Sequence, residues 1–310
     1  MLLAIDVGNT ETVIGLYALT PDERATVPWA EVGAGIGIGT EHEPSHGLTH
    51  HWRLSTVPTR TRDEHAVLLT QILDLEGIDI AATVDGIVVS SSVPSVTAEL
   101  RQMASRWLGD VPCVVLGPGV KNGMPILYDS PKEVGADRVA NAVAAFDLYG
   151  GPCVVVDLGT ATTFDAISAE GEYLGGAITP GVAISLEALF QHAAALRRVE
   201  LVEPRDVIGR STAESIRSGV LYGFSAQVDG MCRRFVAALG PSTVVATGGL
   251  SELVAPFAEA VDHIEPWLTL HGLRVVYERN VPGTGAAGAG TYAAGAGRAP
   301  AAARPAREAR

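Results

Sequence analysis

Apolar positions fall in short blocks whose period switches between two and about 3.6. LLAIDVGNT followed by ETVIGLYAL predicts two strands joined by a tight Gly-Asn turn. Residues 28–47, PWAEVGAGIGIGTEHEPSHG, lose all periodicity and predict a Gly-rich loop insertion. Strand spacing resumes in HWRLST, and TRDEHAVLLTQILDLEG has the helical spacing of Val67, Leu68, Ile72 and Leu75. DGIVVSSSVPS predicts a buried strand, TAELRQMASRWLG a helix and PCVVLGP a further short strand. Strands alternating with helices imply a mixed α/β sheet.

The second half starts over in the same way. PKEVGADRVANAVAAFDLYG predicts an Ala-rich helix, and PCVVVDLGTATTFDAIS again predicts strand, Gly turn and strand. Aligning IDVGNTETVIGLY with VDLGTATTFDAIS places Asp6 on Asp157 and Gly8 on Gly159, an offset of 151 positions, close to half the chain. The expectation is a duplicated domain, residues 1–140 and then 141–292, each opening on an acidic hairpin turn. VAISLEALFQHAAAL and STAESIRSGVLYGFSAQVDGMCRRFVAAL predict helices, STVVATGG a strand and GLRVVYERN a last strand. From about residue 293 to 310 the sequence is an Ala/Arg-rich low-complexity tail, expected to be disordered.

A length of 310 residues suits two domains, and 47% apolar against 18% charged residues suits well-buried cores. Net charge is −13 with only 22 Lys and Arg, which argues against a nucleic-acid partner. No apolar run reaches the roughly 18 residues of a membrane span. MLLAIDVGNT lacks the basic flank of a signal peptide. Cys113, Cys153 and Cys232 are far apart and form no CxxC pair, so they read as small core residues of a reducing compartment.

Common nucleotide motifs fail here. GxxxxGK[ST] is absent, and the chain's lysines are Lys121 and Lys132 alone. Gly283, Gly285 and Gly288 satisfy GxGxxG, but no βαβ unit follows them. GxSxG, HExxH and EF-hand patterns are also missing. His42, His46, His50 and His51 cluster in and beside the insertion with no known metal-site spacing. Trp29, Trp52, Trp107 and Trp267 are scattered and read as packing residues.

The DVGNT turn is the sharpest feature. Its Gly lets backbone N–H groups approach phosphate oxygens, Asn9 and Thr10 add donors, and Asp6 is placed to hold a magnesium ion through water. DLGTATT sets Thr160, Thr162 and Thr163 around a second such turn, and ATGG at Ala246–Gly249 offers a third close approach, for an adenosine. Two hairpins could clasp one triphosphate between the domains, so ATP is the expected ligand. In GADR, Asp137 is a candidate general base and Arg138 a candidate partner for a carboxylate, although an Asp-Arg surface pair reads the same way.

Taken in order, DVGNT, GADR, VVDLGTATT, ITPG at Ile178–Gly181 and TGG resemble the type III pantothenate kinases, over about residues 1–292. That family belongs to the acetate kinase/sugar kinase/Hsp70/actin superfamily. The resemblance implies two duplicated ribonuclease H-like domains of α/β class, with mixed sheets and an ATP cleft between them. It implies ATP-dependent phosphorylation of pantothenate to 4'-phosphopantothenate, the first step of coenzyme A synthesis, by a cytoplasmic homodimer. By position, Asp6, Val7, Gly8, Asn9, Thr10, Glu11, Thr12 and Val13 would bind ATP phosphates, with Thr160 contacting ATP. Tyr128, Gly135, Ala136, Asp137, Arg138 and Thr212 would bind pantothenate, with Asp137 as proton acceptor. Asp157 would hold a potassium or ammonium ion, and ATP would come with Mg2+.

The 28–47 insertion and the Ala/Arg tail depart from the family pattern without interrupting a motif. Two rivals remain: a non-catalytic transcription accessory factor on the same fold, and a kinase for another small alcohol, acidic or sugar. The first would be expected to lose the base or a phosphate loop, yet Asp6, Asp137, Asp157 and Thr160 are all present. GADR with Tyr128 argues against a sugar, because an Arg suits an acidic substrate.

Overall fold

In the computed structural model, the described residues are 1–19, 47–193 and 196–282. The expected insertion up to residue 46, with Trp29, His42 and His46, lies outside them, as do the Gly283–Gly288 motif and the tail.

Two five-stranded sheets share one topology. The first orders β3-β2-β1-β4-β5 from β1 (Leu2–Val7), β2 (Glu11–Tyr17), β3 (Leu48–Ser55), β4 (Gly86–Ser91) and β5 (Cys113–Val115). The second orders β8-β7-β6-β9-β10 from β6 (Cys153–Leu158), β7 (Ala161–Ile167), β8 (Tyr173–Pro180), β9 (Thr243–Thr247) and β10 (His263–Ile264). In each, the leading hairpin strands pair antiparallel and the inner strand pairs parallel with the one after the crossover. Asp6 lies level with Val13 and Ser90, and Asp157 level with Thr163 and Thr247. The 151-residue offset is therefore an equivalence of position within the two sheets.

The period of two decides which face each residue meets. Leu3, Ile5 and Val7 enter an outer core with α1 (Arg62–Asp74) and α2 (Pro94–Trp107). Leu2 and Ala4 turn to the other face and join a central core with Cys153 and Val155 of β6. Val154, Val156 and Leu158 face a third core with α4 (Val182–His192) and α5 (Thr212–Leu239). Asp6 continues the Leu2–Ala4 row and Asp157 the Cys153–Val155 row, so both acids emerge on the side shared by the two sheets.

The central core is built on α3 (Ala136–Tyr149) and α6 (Leu268–Asn280). Small residues let them cross closely: a Cβ on Gly272 would fall 1.9 Å from the Ala140 carbonyl oxygen. Helix α6 corrects the sequence reading, which took GLRVVYERN for a strand. It is buried on almost every side, from Leu268 through Tyr277, and a helix buried all round shows a continuous apolar run rather than a stripe. The α3 boundary also moves, because Pro131–Glu133 form a 3-10 turn and the helix starts only after Gly135.

Local signals account for three of the helix starts. Thr61 and Glu64 form a capping box ahead of α1, Pro94 opens α2, and Ser211 Oγ accepts the Glu214 N–H at the start of α5. Cys153 and Cys232 are buried, Cys113 is half-buried, and all three are free thiols, as expected of core residues.

Candidate functional site

The two hairpin turns meet. Thr10 Oγ1 and Thr160 Oγ1 lie 3.4 Å apart although 150 residues separate them. Between the turns opens a cavity of about 500 Å3 lined by Asp6, Gly8, Asn9, Thr10, Glu11 and Val13 from the first half. Asp157, Gly159, Thr160 and Thr163 line it from the second hairpin, Thr247–Gly249 from the third turn, and Asp137 from α3. Val7 and Thr12, expected with the first group, point elsewhere: Val7 is in the outer core and Thr12 Oγ1 bonds Thr56 Oγ1 at 2.8 Å. Strand alternation sends them to the opposite face.

Asp157 is held from two directions. Asn141 Nδ2 donates to its Oδ2 at 2.9 Å, and Thr269 Oγ1 in turn donates to Asn141 Oδ1 at 2.7 Å. Gly248, at φ +93°, lets the ATGG turn close over it, since a Cβ there would fall 2.4 Å from Asp157 Oδ1. Asp137 sits in the first turn of α3, its Oδ1 accepting the Arg138 N–H at 2.9 Å. A Cβ on Gly135 would strike that same oxygen at 2.3 Å, so the glycine makes room for the carboxylate.

The Asp6, Asp137 and Asp157 carboxylates share one cavity and repel each other. Burial, then the Asp137 charge, pushes Asp6 and Asp157 from the ordinary 3.8 up to about 7. Among the described residues no three His, Cys, Asp or Glu side chains converge tightly enough to hold a metal alone. Asp6 and Asp157 each offer a single carboxylate, so a cation bound here would take its remaining ligands from water or a bound anion.

Of the expected pantothenate residues, Asp137 alone lines this cavity. Arg138 is buried beside it with Nε donating to Asp165 Oδ1 at 2.8 Å and Nη2 lying 2.6 Å from the same oxygen. Tyr128 is 37% exposed and tilts against Tyr173 at a centroid distance of 6.3 Å. Thr212 lies apart, in a second, mostly apolar cavity with Leu186, Leu189, Ser215 and Ile216. Helix α4 separates the two spaces, presenting Ala183 and Ile184 to one and Ser185, Leu186 and Leu189 to the other.

Sequence reasoning missed Asp165, Asn141, Arg53 and the cavity wall of Trp267. Asp165 carried a signal. It is the one acid inside the apolar run of β7, two positions from Thr163 and so on the same face.

A family model described as type III pantothenate kinase matches residues 2–234. The chain belongs to the type III pantothenate kinase family. The type III pantothenate kinase of Streptomyces avermitilis is 49% identical over 291 residues, covering 92% of this chain and 100% of that one. That of Moorella thermoacetica is 47% identical over 281 residues, covering 90% of this chain and 100% of its own. Among solved structures, a protein described as a conserved Baf family transcriptional activator, from Campylobacter jejuni, superposes with a TM-score of 0.50. It is 18% identical, covers 90% of this chain and 98% of its own, and speaks for the fold alone. The fold is α/β, with two mixed sheets.

Proposed function

We propose that the protein transfers the γ-phosphoryl group of ATP to the primary hydroxyl of pantothenate, giving 4'-phosphopantothenate for coenzyme A synthesis. One observation carries this reading: two phosphate-type hairpins face each other across a cavity that also contains Asp137. On this reading the two sheets are duplicated ribonuclease H-like domains and the cavity is their ATP cleft. Family membership supports the choice of substrates.

Asp137 takes the proton of the pantothenate hydroxyl as its oxygen bonds to the γ-phosphorus and the bond to the ADP oxygen breaks. The backbones at Gly8 and Gly159, with Asn9, Thr10 and Thr160, donate to phosphate oxygens and spread the developing charge. Arg138, fixed by Asp165, offers its Nη1 edge to the pantothenate carboxylate, with Tyr128 beside it. Asp6 would hold Mg2+ through water, and Asp157 a potassium or ammonium ion. When bound, these cations supply positive charge against the triphosphate.

The working unit is a cytoplasmic homodimer. Leu189 at the second cavity is exposed and apolar, as are Val202, Val207 and Ile208 in the segment before α5, and a second copy would cover them and Thr212. Among the described residues no helix is long and apolar enough to cross a membrane. A coupled assay of ADP release tests the reaction: release should require pantothenate. Release that is indifferent to pantothenate, or that follows a sugar instead, would overturn the assignment.

A further inference from the structure

The cavity is short of positive charge. Its lining includes the carboxylates of Asp6, Glu11, Asp137 and Asp157, and among the described residues that line it Arg53 is the one cation. Arg53 stands on β3 level with Val13 of β2, itself a lining residue. Three separate segments converge on its guanidinium. Nη1 lies 3.2 Å from Glu11 Oε2 of the first hairpin, and Cζ lies 5.4 Å from the ring centroid of Trp267 at the start of α6. The ATGG turn closes in as well, since a Cβ on Gly249 would come within 3.0 Å of Nη1. Arg53 thus reaches from the first sheet to the third turn of the second half.

Trp267 is a fixed platform. His51, two residues before Arg53 and on the same face of β3, stacks on it with ring centroids 4.0 Å apart. Burial, with the charge of Arg53, holds the His51 pKa below its ordinary value, which favours a neutral ring in that stack. A guanidinium on an aromatic face keeps its edge free for an anion. Its current partner is easily exchanged, because the Glu11 pair is 39% and 56% exposed and water screens it.

We infer that Arg53, seated on Trp267, binds the triphosphate of the nucleotide, exchanging Glu11 for phosphate oxygens when ATP enters. Glu11 then parks the arginine between turnovers. This rests on the reading of the cavity as an ATP site.

Calorimetric titration of the full chain with MgATP and, separately, with adenosine tests it, alongside steady-state kinetics. Arg53→Ala should weaken MgATP binding about tenfold or more, because it removes charged hydrogen bonds. Adenosine affinity and the KM for pantothenate should stay unchanged, and Arg53→Lys should recover part of the loss. Equal losses for MgATP and adenosine would overturn the inference in favour of a contact to the base. Unchanged MgATP binding in Arg53→Ala would overturn it outright. Wild-type protein that binds no MgATP would instead reject the ATP site itself.

Discussion

Arg138 and Asp165, 27 residues apart, form a buried ion pair in which Nε and Nη2 meet one carboxylate oxygen at 2.8 and 2.6 Å. Asp165 also accepts from Tyr173 Oη at 2.7 Å and from Thr163 Oγ1 at 3.1 Å, so the buried charge is well satisfied. The pair orients the arginine that the proposed pantothenate site needs. Asp165→Asn strips the guanidinium of its counter-charge and should cost about 3 kcal/mol or more of stability. It should also raise the KM for pantothenate, leaving that for ATP nearly unchanged. Denaturant unfolding with two-substrate kinetics would check both; a stability loss with no change in that KM would make Asp165 purely structural.

Arg138→Lys follows from the same geometry. A point ammonium cannot keep the contact to Asp165 and also present a second edge to a carboxylate. The variant should therefore lose both stability and pantothenate affinity. If kinetics alone change and the melting temperature does not, the ion pair contributes less than its burial implies.

Asp137→Asn separates chemistry from folding. An amide oxygen can still accept the Arg138 N–H, so α3 should start as before, while the base is lost. Turnover should fall by roughly 100-fold or more, with a melting temperature no lower than that of the wild type because one of the repelling charges is gone. Near-normal turnover would remove Asp137 from the role of proton acceptor.

The two acidic hairpins were legible because each is local: strand, Gly turn and strand lie within about a dozen residues, and alternation fixes where the Asp points. The parts that failed are not local. α6 reads as a strand because its burial comes from α3 on one side and the first sheet on another. Asn141 sits in an Ala-rich helix and becomes meaningful only once Asp157 and Thr269 are brought to it. Thr212, assigned with GADR to pantothenate by the family resemblance, opens onto a different cavity from Asp137. Arg53 and Trp267 are single residues whose meeting is visible only when the two halves are packed.

Gly248 offers a test of the third turn. At φ +93°, and with no room for a Cβ against Asp157, it admits no side chain without backbone movement. Gly248→Ala should lower stability by about 1–2 kcal/mol or more and depress activity by displacing the carboxylate. Gly249→Ala, which would press only on the movable Arg53, should be milder. Equal effects at the two positions would mean that Asp157 is not what the Gly248 turn protects.

The raised pKa values of Asp6 and Asp157 make stability depend on pH in a definite direction. Between the ordinary 3.8 and about 7 the folded protein keeps protons that the unfolded chain has released. Stability therefore falls as the pH rises across that interval: the contribution is complete below the lower value and is lost as the pH passes the upper one. Cations reverse this by making the ionised form welcome. The ligand-free protein should melt at a lower temperature at pH 8 than at pH 5.5, and magnesium with potassium should raise the melting temperature more at pH 8. Asp157→Asn removes one of the charges, so it should flatten the pH dependence and stabilise the ligand-free protein while abolishing most activity. It should also remove any preference for potassium over sodium in activity at constant ionic strength, a preference the wild type should have if Asp157 holds the monovalent ion. A potassium preference that survives in the variant would place that ion elsewhere. A melting temperature that does not fall from pH 5.5 to 8 would mean that burial and the Asp137 charge do not hold the two carboxyls protonated in the folded protein.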